Sequence, residues 1–388
     1  MNRQEWQVVT IISSIVSLRL LGIFLVLPIF STYAVRYPHA TGPLAGLAFG
    51  IYALVQAMLQ LPMGYASDHW GRKPVLALGL LLFTLGSFLC ARASTIEALI
   101  AARAVQGAGA IGAVALAALG DLTRPNFRAR AFTIMGISVG MAFTLGIIAG
   151  PILAGHLGFP HLFDFLAALG ALALLITLFT FPKVAPAEPE EEKPRIRTIL
   201  RLSPIRKIVA AAFALSFILN AFLFVYPLDW KSAGVPPEQL WKVYLIIFLP
   251  AAIIVFPLVR VAEVRHILKL PVLAGWTLLS ASMMMYFFSR HHPVGRYLAG
   301  ALFFLGYTLF QPLLPAFLTQ HIGRNARGTA TGVYNLSGFL GASFGGILGG
   351  VLYHYHPAAP VGVAALLTIL WLIIGLPSPP DPLTMART

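Results

Sequence analysis

Long apolar runs broken by short polar stretches repeat along the chain. They fall near 8–33, 44–66, 75–93, 96–120, 130–155, 161–182, 207–229, 240–260, 271–290, 294–319, 328–353 and 360–377. Each approaches the ~20 residues that an α-helix needs to cross ~30 Å of hydrocarbon. Lipid offers the backbone no hydrogen-bond partner, so the runs predict helices. The period-two alternation of a membrane barrel is absent from the sequence. The first run, from Val8 to Tyr33, is too long for a signal-peptide core and lacks a small-residue cleavage site. It is expected to remain as the first span.

Composition agrees with the pattern. Hydrophobic residues make up 58% of the 388, charged residues 10%, and the mean hydropathy is +0.83. A soluble domain carries roughly 25% charge. The single Cys excludes a disulfide framework, no Cys/His spacing reads as a metal site, and no cofactor is expected. The net charge of +14 reflects topology, not nucleic acid. With the N-terminus inside, Lys and Arg crowd the inner loops, and the outer ones carry only Arg36, Arg92, Lys231, Lys242, Arg290 and Arg296. This asymmetry predicts that both termini are cytoplasmic.

The longest connection, Pro182 to Lys207, opens acidic at Glu188, Glu190, Glu191 and Glu192 and then turns basic. It predicts a six-helix bundle over 1–182, a cytoplasmic linker over 183–206 and a second bundle over 207–388. The halves echo each other. Pro62 and Asp68 close span 2 as Pro257 and Glu263 close span 8, and Asn126, Arg128, Gly146 and Gly150 match Asn325, Arg327, Gly345 and Gly349. The expected fold is therefore all-α and integral to the membrane. Twelve transmembrane helices form two pseudo-symmetric bundles around a central cavity, an arrangement suited to alternating access.

Gly64-Tyr-Ala-Ser-Asp68-His-Trp-Gly71-Arg72-Lys73 resembles the loop 2–3 signature of the major facilitator superfamily. Arg103-Ala-Val-Gln106-Gly107 resembles its span-4 Arg motif, and Gly146-Ile-Ile-Ala-Gly150-Pro151-Ile-Leu-Ala-Gly155 resembles the span-5 motif of its antiporters. Within the superfamily, Ser17-Leu-Arg19-Leu-Leu-Gly22 and Gly120-Asp121-Leu-Thr-Arg124 look most like the YajR-like branch near the drug/proton antiporters, here without an added C-terminal soluble domain. The resemblance covers the whole chain. His69 stands where the signature usually has a basic residue. Span 1 lacks the carboxylate that many drug/proton antiporters place there. The resemblance implies a monomeric transporter of the bacterial inner membrane, exporting a small molecule in exchange for protons.

A carboxylate near a helix N-terminus gains roughly 0.3–1 kcal/mol. Asp68 is accordingly expected to cap the start of span 11 near Arg327 and Gly328, with Arg72 pairing Asp121. The resemblance implies the same roles. Gly64, Asp68, Gly71, Arg72 and Asp121 then form a conformational latch; the bland alternative is a solvated topogenic loop. Arg19 and Arg103 fall near the midplane, where a bare cation costs ~2.5–3.5 kcal/mol. No acid lies at comparable depth. Either something negative visits them, or Gln56, Gln60 and Gln106 satisfy them.

In the second half, Phe217, Asn220 and Phe224 share one helix face. Tyr307 and Gln311 share another, with Tyr334 and Asn335 nearby in sequence. The expected substrate cavity thus comprises Arg19, Gln56, Arg103, Gln106, Asn220, Phe224, Tyr307, Gln311 and Asn335, with helix packing the alternative for each. Gly146, Gly150, Pro151 and Gly155 are expected to shape a gating helix, and Pro28, Pro312 and Pro315 to kink theirs. No His falls at the midplane, which leaves Asp229 and Asp164 as candidate proton carriers.

The leading reading is a secondary transporter that moves a small amphipathic molecule by alternating access, in proton-coupled efflux. A second is a facilitator or symporter for a small organic anion or polar metabolite, using Arg19 and Arg103. A third is a non-transporting membrane sensor or scaffold. No nucleophile–base pair, metal constellation or phosphate loop points to an enzyme. The implied partners are a small-molecule substrate, protons and lipid.

Overall fold

The computed structural model describes residues 1–124, 126–182, 196–264, 269–323 and 326–375. The acidic part of the expected linker, together with Arg265, Asn325 and Arg387, lies outside them. Among the described residues every regular element is helical. Eleven helices are long and apolar enough to cross a membrane, and Ala359–Ile374 is a shorter apolar one. Many large apolar side chains point outward, Phe179, Leu366 and Ile373 among them. That surface suits hydrocarbon as its solvent.

The chain divides into two compact units. The first comprises Met1–Glu191 with Trp230–Trp241, and the second Glu192–Asp229 with Lys242–Thr388. This differs in one place from the division expected at 183–206: the segment Trp230–Trp241 groups with the first unit, not with the rest of 207–388.

In the first unit α1 is Arg3–Val26, α2 Phe30–Ala34, α3 Gly42–Trp70 and α4 Arg72–Arg92. They are followed by α5 Ile96–Ala108, α6 Gly112–Asp121, α7 Arg128–Leu157 and α8 Phe159–Thr180. Local sequence sets their ends. Asn2 and Glu5 form a capping box at α1, and Thr41 and Thr95 accept from backbone amides at α3 and α5. Each satisfies donors that the first helical turn leaves open. Pro28, just after α1, cannot donate to the helical ladder, and the first span stops there and restarts as α2. Gly71 (φ 91°) turns α3 into α4 through a conformation that a Cβ disfavours.

The fourth apolar run, expected as one helix over 96–120, is split between α5 and α6. Across the break Ala110 N–H donates to the Ala108 carbonyl (2.8 Å) and Ile111 N–H to that of Gly109 (3.0 Å). These tight bonds replace helical ones where neighbouring backbone crowds the span. A Cβ on Gly109 would lie 2.5 Å from the Gly79 oxygen.

In the second unit α9 is Ile196–Leu200, α10 Ser203–Ser232, α11 Leu240–Val264 and α12 Lys269–Ser289. They are followed by α13 Pro293–Gln320, α14 Arg327–Tyr355 and α15 Ala359–Ile374. The last residues of α10 and the start of α11 lie in the first unit. Each unit presses glycines of its fifth span onto the backbone of its first. A Cβ on Gly150 of α7 would meet the Leu25 oxygen at 2.0 Å, and one on Gly345 of α14 the Phe217 oxygen at 2.3 Å. The repeat read in the sequence thus reappears as one packing device used twice.

Candidate functional site

The first unit buries both midplane arginines. Arg19 is 2% exposed and Arg103 3%. Arg19 donates from Nη2 to the Tyr52 hydroxyl (2.9 Å) and to Gln56 Oε1 (3.2 Å). Arg103 donates to the Ala48 carbonyl (3.4 Å) and to Gln106 Oε1. Gln106 in turn donates to the Ser87 hydroxyl (2.8 Å). Tyr52 serves both cations. Its hydroxyl takes Arg19, and its ring lies 4.6 Å from the Arg103 guanidinium. The negative face of an aromatic ring attracts a cation, most strongly where water is excluded. Tyr52 and Gln56 are one helical turn apart on α3, which is why a single face meets α1. The sequence named Arg19, Gln56, Arg103 and Gln106. It missed Tyr52 and Ser87, for which the i, i+4 spacing from Gln56 and the small polar residue in α4 were the available signals.

At the other end of α3, Arg72 sits in a clasp. Its Nη1 lies 2.5 Å from an Asp68 oxygen and 2.6 Å from the Ser67 hydroxyl, and its Nε 2.9 Å from Asp121. The guanidinium is buried and both carboxylates keep an edge in solvent. Gly71, immediately before, supplies the turn that aims it. Gly64 lies two turns before Gly71 on α3. Asp68 closes on Arg72, and Ala326, at the start of α14, offers that helix no side-chain cap. A second tie joins the same end of the unit: Arg124 grips Glu5 with two bonds, at 2.8 and 3.1 Å. The carboxylate holds the Arg124 pKa above its ordinary value. Nothing in the sequence reading anticipated that pair.

The candidate carboxylates differ. Asp164 is tied up at a helix end, 2.7 Å from Arg92 and 3.0 Å from His161. Asp229 accepts the Tyr286 hydroxyl at 2.9 Å, while its backbone carbonyl accepts from Arg296 at 2.8 Å. Tyr226 donates to the Arg296 carbonyl at 3.1 Å. Arg296, read in the sequence as an outer-loop cation, is buried in the second unit.

The remaining cavity residues lie in the second unit. Asn220 bonds the Ser216 carbonyl of its own helix (2.8 Å), so its amide is partly occupied. Phe224 is fully buried and meets Tyr353 edge-on at 6.3 Å. Tyr307 stacks on Phe303 at 5.9 Å and shares a hydrogen bond with Gln311, which is exposed. Asn335 is half-buried on α14.

On α7, Gly146 and Gly150 press on Phe24 and Leu25 of α1, Pro151 sits within the helix, and Gly155 lies against Glu238. Glu238 also accepts the Tyr33 hydroxyl at 2.8 Å, and Lys231 donates to the Thr32 carbonyl at 3.1 Å. Tyr33, Lys231 and Glu238 thereby fasten the segment Trp230–Trp241 within the first unit.

Comparisons with known proteins agree with this arrangement. The family model of the Major Facilitator Superfamily matches residues 12–346. The inner membrane transport protein YajR of Escherichia coli (strain K12) is 33% identical over 94% of this chain and 81% of its own. Multidrug resistance protein 1 of Bacillus subtilis (strain 168) is 25% identical over 93% of this chain and 95% of its own. The crystal structure of the human organic anion transporter MFSD10 (TETRAN) superposes with a TM-score of 0.70 at 20% identity, covering 96% of this chain and all of that one. This integral membrane chain belongs to the Major Facilitator Superfamily and is a transporter, not an enzyme.

Proposed function

We propose that the protein exports a small amphipathic molecule by alternating access in exchange for protons, as a monomer in a bacterial inner membrane with both termini cytoplasmic. The observation that carries the reading is the Arg72 clasp. A buried guanidinium shared by two half-exposed carboxylates is a joint that can be made and broken. Its net worth must stay within a few kcal/mol, because a transporter has to visit both of its states. In this reading Asp68 and Arg72 part when the joint opens in the alternate state.

Asp229 is the proton carrier in this reading. Among the described residues it is a carboxylate half-buried in the second unit that accepts a phenol hydroxyl. Asp164, already ion-paired, is assigned to outer-end structure. The export direction draws support from the relative named for multidrug resistance.

Proteoliposomes loaded with a lipophilic dye test the proposal. An imposed pH gradient is expected to drive dye movement in the wild type, and Asp229→Asn to uncouple it. Movement that ignores the gradient in the wild type would exclude proton exchange. Normal flux in Asp68→Asn would exclude the latch.

A further inference from the structure

The split in the fourth span creates a feature that transport alone does not use. The first backbone bond of α6 runs from Ala115 N–H to the Ile111 carbonyl. The N–H groups of Gly112, Ala113 and Val114 therefore lie ahead of the ladder, at the positive end of the helix. Ile111, at the cap, supplies no side-chain acceptor. This end lies within the span, away from bulk water.

A buried amide faces it. Gln60 is 0% exposed, and neither its Nε2 nor its Oε1 has a hydrogen-bond partner. A Cβ on Gly112 would lie 3.1 Å from that Nε2, so the amide is aimed at the first residue of α6. One turn along α3 is Gln56, which holds Arg19, and the Nε of Arg19 is also buried without a partner. Burying a polar amide unpaired costs roughly 1–3 kcal/mol. Two of these groups are donors, and a third donor set is the helix end.

The charge inventory points the same way. Among the described residues of the first unit, the carboxylates sit at helix ends: Glu5, Asp68 and Asp121 at one, Glu97, Asp164 and Glu238 at the other. Arg19 and Arg103 are buried between them, and Arg does not deprotonate in proteins. Two buried cations, an open helix N-terminus and an orphaned amide lack a counter-charge.

We propose that the first unit binds a small anion at the break in span 4, held by Gln60 Nε2, the α6 amides and Arg19. Helix N-termini exposed by broken spans are suited to negative groups. A free halide and the carboxylate of a transported molecule supply the same chemistry. The site goes beyond the proton-exchange reading and stands whether or not protons move.

The test uses full-length protein purified without chloride. Its thermal midpoint is followed while bromide replaces gluconate at fixed ionic strength, and in a second arm while benzoate does. A saturable rise is expected, because a ligand bound only to the folded state stabilises it by mass action. Gln60→Leu should weaken the half-saturation at least ~10-fold, about 1.4 kcal/mol. Gln60→Glu places a carboxylate where the anion would lie. It should fold, match the anion-saturated wild type and lose the response. A response to bromide identifies a resident inorganic ion. A response to benzoate alone identifies the charged end of a substrate. Crystals grown in bromide should show anomalous scattering beside Gln60 in the first case. A flat response in both arms with no such peak overturns the proposal, as does a wild-type response in Gln60→Glu.

Discussion

Arg72 Nε meets Asp121 at 2.9 Å, joining the start of α4 to the last residue of α6. The same guanidinium holds Asp68 and Ser67 on α3, so one side chain ties three helix ends together. Arg72→Lys keeps the charge but not the fork that reaches all three. Transport in proteoliposomes is expected to fall at least tenfold with expression retained. A double-mutant cycle with Asp121→Asn should return a coupling of ~0.5–3 kcal/mol.

Tyr52 makes two different contacts, and two substitutions separate them. Tyr52→Phe removes the acceptor of Arg19 and keeps the ring beside Arg103. It is expected to cost ~1–2 kcal/mol, since a buried donor is left open. Tyr52→Leu removes the ring as well and should cost a further ~0.5–2 kcal/mol. Thermal midpoints in detergent give the order; equal losses would show that the ring contributes nothing.

Gly150→Ala places a methyl group 2.0 Å from the Leu25 oxygen. Helix α7 must then move off α1, and a loss of ~1–3 kcal/mol is expected from the overpacking. Gly136→Ala on the same helix meets nothing within 4 Å and serves as the control. Its midpoint should hold or rise slightly, because Ala is the better helix former.

Tyr33→Phe breaks the bond to Glu238 while leaving the stack of ring 33 on Phe159 at 4.6 Å. Amide exchange across 230–241 is expected to quicken several-fold, with little change elsewhere, since local opening samples the weakest ties first. Unaltered exchange would mean that the Tyr33–Glu238 bond does not fasten the segment.

Much of this was legible in the residues. Period and length carry the spans, because lipid leaves the backbone few options. The loop signature pointed at Arg72 and the end of span 4 at Asp121, and their partnership is local to one unit. The break in span 4 was not legible. Gly109 read as an ordinary glycine of an apolar helix, and only the crowding backbone of another helix gives it meaning. Arg124 ends a motif, but Glu5 lies far from it in the chain and falls in none, so their pairing was invisible. Arg296 misled for a different reason: a cation three residues into a span reads as a loop residue until a carbonyl such as that of Asp229 is seen to accept it. The second-half cavity residues share helix faces as the spacing requires, but spacing cannot tell an aromatic wall from aromatic packing.

The burial of Arg19 also bears on how the chain is made. Its partners on α3 lie 33 and 37 residues further on. At ~5–20 residues per second of synthesis, they emerge seconds after α1 itself. During that interval the first span carries a mid-membrane cation with nothing to hold it, at a cost of ~2.5–3.5 kcal/mol. The first helix is therefore expected to wait beside the insertion machinery until α3 arrives, so that the two enter the lipid together as a hairpin.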